Sequence, residues 1–163
     1  MFSRTLVAGA IVLASSFAFA YPAVGDKAEW DGQTKMVDGT TTPLKVTMEV
    51  TAWDPTTHMW TVKTDTTKGD QTTSETMTTP CLPTPDTAKM MLDKCVDEGG
   101  TLEDVSVKAG TYHTCMIIMG SAEGKLTKKW YGDTPFAMVK KWRADAADKS
   151  ETELELTSVT MGK

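Results

Sequence analysis

From Leu44 to Thr51 the chain alternates apolar and polar side chains, with Leu44, Val46, Met48 and Val50 set against Lys45, Thr47, Glu49 and Thr51. A two-residue period places the two sets on opposite sides of a strand, one buried and one wet. The period returns at Val105 and Val107, and again where Leu154 and Leu156 alternate with Glu153 and Glu155. Threonine is abundant and turn residues recur every eight to twelve positions, as at Asp54-Pro55 and Lys68-Gly69-Asp70. Such spacing belongs to short antiparallel strands.

The pattern predicts strands near residues 44–51, 58–66, 71–78, 125–131, 136–143 and 151–160. The most apolar strand, 111–119, is expected to be central, and Ala28 to Trp30 to add an edge strand. Helical spacing occurs once. Pro80, Pro83 and Pro85 break the strand pattern, after which Thr84 can cap a helix opened by Pro85 and Asp86. Ala88, Met91, Leu92, Cys95 and Val96 then form its apolar side, and the helix is expected to run to about Asp97 before Gly99 or Gly100. Some eight strands must curl or close to hide their apolar face and protect their edges. The expected fold is mainly β, a curved antiparallel meander forming a partly closed barrel with one α-helix packed on it.

The first twenty residues read differently. Arg4 is followed by an apolar run from Leu6 to Phe19 and by Ala18-Phe19-Ala20, a small-x-small cleavage pattern; these are the parts of a signal peptide. The run is too short for a bilayer span, and no second apolar stretch follows it. Tyr21 and Pro22 after the cleavage site leave no cysteine for lipid attachment there. Residues 1–20 are therefore expected to be a leader and 21–163 a single β-rich domain, periplasmic or secreted. Without Arg4 the domain carries 16 basic against 22 acidic side chains, a sign that disfavours nucleic acid as a partner.

Three cysteines, Cys81, Cys95 and Cys115, allow one disulfide in three pairings. From Pro85 to Cys95 a helix rises roughly 15 Å, whereas the link from Cys81 to Pro85 reaches at most about 14 Å. Folding back from Cys81 to Cys95 is thus barely feasible. Cys95 lies on the apolar side of the helix and Cys115 in the strand it is expected to cover, so this pairing would staple helix to sheet, leaving Cys81 free or linking two molecules. No Cys-x-x-Cys motif is present, and His58 and His113 are the two histidines. His113 and Cys115 alternate on one strand face near several methionines, a soft-ligand arrangement that could suit Cu(I), but methionine is a common core filler and Cys115 is assigned to the disulfide. No metal set and no cofactor are expected.

Two further groups are candidate binding elements. Trp60, Trp130, Tyr131, Phe136 and Trp142 could line a cavity for a lipid-like ligand, or simply pack, with Trp130, Phe136 and Trp142 sharing one layer across the last hairpin. Lys125, Lys128, Lys129, Lys140, Lys141 and Arg143 face only Asp133 within residues 125–143. This basic surface could meet anionic headgroups or an acidic partner, or pair across strands with Glu151, Glu153 and Glu155. No Ser/His/Asp order, nucleophile elbow or phosphate-cradling glycine loop is found, so the chain is not expected to be an enzyme.

Three stretches carry a resemblance: Gly99-Gly100-Thr101-Leu102-Glu103, Val107-Lys108-Ala109-Gly110-Thr111-Tyr112-His113-Thr114-Cys115, and Trp130-Tyr131-Gly132-Asp133-Thr134-Pro135-Phe136-Ala137-Met138-Val139-Lys140. In their order they resemble exported bacterial proteins of the DUF3108-like kind, with Lys108 where that group often has Pro and Ala137 where it often has Gly. The resemblance implies a sheet similar to the half-barrels of lipoprotein-localisation factors. The expected function is that of an exported non-catalytic binding module for a hydrophobic or amphiphilic ligand. The alternative is a structural or protein-interaction domain of the bacterial cell envelope, whose partner would be an envelope protein.

Overall fold

The computed structural model describes residues 21–163, and the expected leader over 1–20 lies outside the described residues. The elements follow in the order β1 (Lys27–Lys35), β2 (Thr41–Asp54), β3 (Met59–Lys68), β4 (Gln71–Thr79), α1 (Pro85–Lys94), β5 (Thr101–Val107), β6 (Gly110–Gly120), β7 (Lys125–Tyr131), β8 (Met138–Asp145) and β9 (Ser150–Thr160). All pairings are antiparallel, and the sheet order is β4-β3-β2-β1-β9-β8-β7-β6-β5. The chain is mainly β, with nine strands and one short helix.

The sheet is curved and does not close into a barrel. Its edges, β4 and β5, do not pair with each other. The turn between β5 and β6 nevertheless folds back to β9, where the Ala109 N–H donates to the Leu156 carbonyl at 3.2 Å. The C-terminal half thus curls onto itself.

Two strands take places that the local pattern does not predict. The segment around Ala28 to Trp30 is no edge: β1 is an interior strand, fourth of the nine, paired with β2 on one side and β9 on the other, and the β1–β9 ladder is the strand pairing that joins the two halves. Conversely β6, expected at the centre, lies next to the β5 edge. The apolarity of β6 is instead satisfied by α1 and the disulfide, which cover it at Cys115.

The core forms where the halves meet. Ala28, Trp30, Leu154 and Leu156 are buried together, with Leu44, Val46 and Met48 from β2 and Val107, Phe136 and Met138 packed around them. Trp30 donates its indole N–H to the Met138 carbonyl at 2.9 Å, so its one polar atom is satisfied. Gly32 stands at the same junction because a Cβ there would lie 1.8 Å from the Glu153 carbonyl oxygen. Asp26, fully buried, accepts the N–H of Ala23 at 2.6 Å and of Gly162 at 2.8 Å, tying the segments before β1 and after β9 together.

The helix begins as its cap predicts: the Thr84 hydroxyl accepts the Thr87 N–H at 3.1 Å, and the Thr87 hydroxyl accepts the Thr84 N–H at 2.7 Å. It stops at Lys94, about a turn earlier than expected. Tight turns closed by Gly99 N–H to the Val96 carbonyl and Gly100 N–H to the Cys95 carbonyl reverse the chain into β5. Cys95 is thereby brought to Cys115, and the two form a disulfide with their Cα atoms 5.6 Å apart.

Candidate functional site

The first turn of α1 roofs a crevice of about 430 Å³ lined by Tyr21, Pro85, Tyr112, Asp133, Thr134, Pro135, Val159 and Met161. The helix is short and only Ala88 on it is buried, so packing alone holds it weakly. The disulfide from Cys95, just past its last residue, supplies the missing attachment. Gly100 lies against the same staple: a Cβ there would come within 2.7 Å of Cys95 Sγ and Ile117 Cδ1. With its C-terminal end pinned to β6, α1 places Pro85, at its N-terminal end, against the crevice.

The walls of this crevice are mostly hydrocarbon and ring. Its polar groups are few. Tyr21 donates its hydroxyl to the Asp133 carboxylate, and burial first, then that hydrogen bond and the charges of Asp133 and Asp26, push the phenol well above its ordinary pKa. It therefore stays a neutral donor. Burial likewise raises the Tyr112 phenol. Thr134 is buried, and its hydroxyl has no hydrogen-bond partner among the described residues. An unpaired buried hydroxyl costs roughly 1–3 kcal/mol. On the flank of α1 a second hollow of about 670 Å³ is lined by Asp86, Lys89, Leu92, Asp93, Leu102 and His113, and it shares Pro85 and Asp133 with the first.

The basic residues divide between the two faces of the sheet. By cross-strand register, Lys128 lies opposite Trp142 and Lys140 opposite Trp130 and Glu155, all on one face. There Lys140 Nζ is 2.7 Å from both Glu153 and Glu155 and 5.8 Å from the Trp130 ring centre, and Lys128 Nζ is 5.4 Å from that of Trp142. Burial works against the Lys140 charge, but the two glutamates outweigh it and raise the pKa. These cations are spent within the sheet.

Lys125, Lys129, Lys141 and Arg143 occupy the other face, the one that carries Cys115 and Ile117. With Met119, Gly120, Ser121 and Thr127 they line an open groove of about 380 Å³. Lys125 pairs with Glu123 and Arg143 with Asp145, each at 2.9 Å. Lys129 and Lys141 face each other directly across β7 and β8, and neither has a carboxylate partner among the described residues. Burial, then the charges of Lys129 and Arg143, pull the Lys141 ammonium below its ordinary pKa.

The aromatic candidates are dispersed. Trp130 and Trp142 share the face opposite the groove, and the Trp130 indole N–H donates to the Glu103 carboxylate. Tyr131 pairs with Met138 beyond a β-bulge at Val139 and shares the face of Cys115. Phe136 precedes β8 and packs edge-on to Trp30 in the core at 6.3 Å, so it does not join Trp130 and Trp142 in one layer. Trp60 is remote from all of these, stacked at 4.4 Å on Trp53 at the end of the β2–β3 hairpin.

His113 is paired with Asp104 at 2.7 Å, Cys115 is in the disulfide, and Cys81 is exposed and free. Among the described residues no group of three or more His, Cys, Asp or Glu side chains is placed to hold a metal, and no helix is long and apolar enough to cross a membrane. Sequence reasoning passed over the crevice residues Tyr21, Tyr112, Thr134, Val159 and Met161. Asp133-Thr134-Pro135 was legible as a turn, but nothing local signals that a tyrosine 112 positions earlier closes onto it.

No family model matches the chain, and no curated protein matches it. Among solved structures it is similar to a Bacteroides fragilis protein assigned as exported and described as having a YmcC-like fold. The TM-score is 0.52 at 11% identity, over 87% of this chain and 99% of that one. A Parabacteroides distasonis protein assigned as a lipoprotein aligns with a TM-score of 0.46 at 9% identity, over 85% and 96% of the two chains. A LolA superfamily protein from Nitrosomonas europaea aligns at 0.27 and 8% identity, over 89% of each. The Bacteroides likeness is one of fold: an open, helix-bearing antiparallel sheet.

Proposed function

We propose that the protein is an exported, non-catalytic binding module for an amphiphilic ligand, which enters the crevice beneath the first turn of α1. The observation that carries this reading is the crevice itself: about 430 Å³, walled by Tyr21, Pro85, Tyr112, Pro135, Val159 and Met161, with one buried hydroxyl, Thr134, left unpartnered. Ligand cavities are typically roughly 300–1,000 Å³, apolar in lining, with a few placed polar groups. A tail would displace water from the walls, and a ligand oxygen or N–H would satisfy Thr134. Membership of the DUF3108-like group, cleavage after Ala20 and delivery to the periplasm or beyond belong to the same proposal.

Displacement of a fluorescent stearate probe by oleate tests it. The processed wild-type chain is expected to take up the probe, and Met161→Trp, which fills the crevice from a residue beyond the last strand, to weaken uptake at least tenfold while keeping the β-sheet circular dichroism. No uptake by the wild type, or uptake indifferent to Met161→Trp, contradicts the reading. The exposed Trp53, packed on half-buried Trp60 beside the uncovered β4 edge, favours a second reading, a protein-interaction domain of the envelope. Capture of an envelope protein that Trp53→Ser abolishes, with no probe uptake, would select it.

A further inference from the structure

We infer that the groove on the β6–β8 face is a binding site for an oxoanion, a phosphate or sulfate group, held by Lys129, Lys141 and Arg143. It shares no lining residue with the crevice beneath α1, and so stands or falls separately from the ligand proposed there.

The arrangement of the groove lysines carries a cost. Like charges directly opposite on neighbouring strands destabilise a sheet, yet Lys129 is the cross-strand partner of Lys141. The next pair along the same face, Thr127 with Arg143, adds a third cation. The opposite face of the same strands follows the reverse rule, where Lys140 is answered by Glu153 and Glu155. Carboxylates are thus in reach of these strands, but on the groove side only Arg143 and Lys125 receive one. Both lysines that remain are half-buried, where repulsion is less screened than at an open surface.

An anion seated between Lys129 and Lys141 would turn this repulsion into two charge-assisted hydrogen bonds. Arg143 keeps donors free, because its bond to Asp145 engages one nitrogen. Hydroxyl donors lie at the same wall: Thr127 lines the groove, and the Ser121 oxygen already accepts the Lys125 N–H at 3.2 Å, which leaves its own hydrogen to donate. Met119, also in the lining, supplies an apolar shoulder. Cations, hydroxyls and one apolar contact suit a tetrahedral oxoanion, free or at the head of an amphiphile.

The test measures thermal unfolding of the processed protein in inorganic phosphate and in chloride at matched ionic strength, with flotation on vesicles of phosphatidylglycerol or phosphatidylcholine as a second arm. Phosphate is expected to raise the wild-type midpoint by several degrees over chloride. Lys129→Gln/Lys141→Gln is expected to lose most of that shift, and Lys128→Gln, on the opposite face, to keep it. Should the double variant fold poorly, Lys141→Gln alone is expected to lose at least half. Flotation with phosphatidylglycerol that depends on Lys129 and Lys141 assigns the anion to a lipid headgroup, and a phosphate shift without flotation assigns it to a free anion. A shift equal in wild type and double variant, or no response in either arm, overturns the site.

Discussion

The two halves of this sheet are built from the same antiparallel pairing and treat their exposed surfaces in opposite ways. In the N-terminal wing, the far half of β2 with β3 and β4, almost every side chain of β4 meets water, and Val50 and Val62 are its only buried apolar residues. Among the described residues neither helix nor disulfide covers it. In the C-terminal half, β5 to β9 curl until the β5–β6 turn reaches β9, and α1 is stapled to β6. The wing is held by ladder hydrogen bonds and threonine pairs such as Thr67 with Thr72. The other half is held by burial and a covalent tie. The crevice lies at the N-terminal end of α1, and none of the cavities described above lies on the outer strands of the wing.

The comparison breaks first at the junction. Gly32→Ala would drive a Cβ to 1.8 Å from the Glu153 carbonyl oxygen, with the Leu154 Cα at 2.9 Å behind it. Since backbone cannot rotate aside, the loss in a denaturant titration should be about 3 kcal/mol or more. Both halves should then unfold at different denaturant concentrations, because β1–β9 is the one strand pairing between them. Cys95→Ser/Cys115→Ser comes next. The closed loop spans 20 positions, which corresponds to about 3 kcal/mol, and limited proteolysis should cut within α1 while sparing the wing.

Within the wing the stakes are lower. Val62→Ala, between Val50 and Met77 on the neighbouring strands, should cost about 2 kcal/mol and speed amide exchange in β3 and β4 alone. The smallest effect concerns Glu29, which pairs with Lys27 of its own strand at 2.8 Å and reaches β2 through Lys45 at 3.5 Å. The Lys27 hydrogen bond, opposed by burial and helped by the charges of both lysines, lowers its pKa from an ordinary value of 4.5. A depressed carboxylate stabilises the fold above the unfolded value and loses that contribution as pH falls through the folded one. Glu29→Gln should therefore narrow the stability difference between pH 7 and pH 3, by less than about 1 kcal/mol because both lysines are solvent-exposed.

What was legible in the sequence tracks how local each cause is. Strands β2, β3, β4, β7 and β9 follow from two-residue alternation and the turns between them, and the start of α1 from Thr84, Pro85 and Asp86. The Cys95–Cys115 pairing followed from reach along the chain. Sheet order did not follow. In β1 the buried positions Ala28, Trp30 and Thr34 are interrupted by Gly32, so the strand reads as weak although its partners at 41–54 and 150–160 place it inside the sheet. The division of the basic residues was hidden for a related reason: whether a lysine faces Glu153 or another lysine depends on register across strands. The crevice needed Tyr21, Asp133 and Met161 together, and no short-range pattern links them.

Hydrogen–deuterium exchange of the processed protein, followed by mass spectrometry with and without oleate, is the most direct test of the idea that the stapled half is the binding half. Added protection confined to Pro85–Lys94, residues 132–136 and the end of β9 is the predicted result. Protection appearing instead in β3 and β4, or nowhere at saturating oleate, would contradict it.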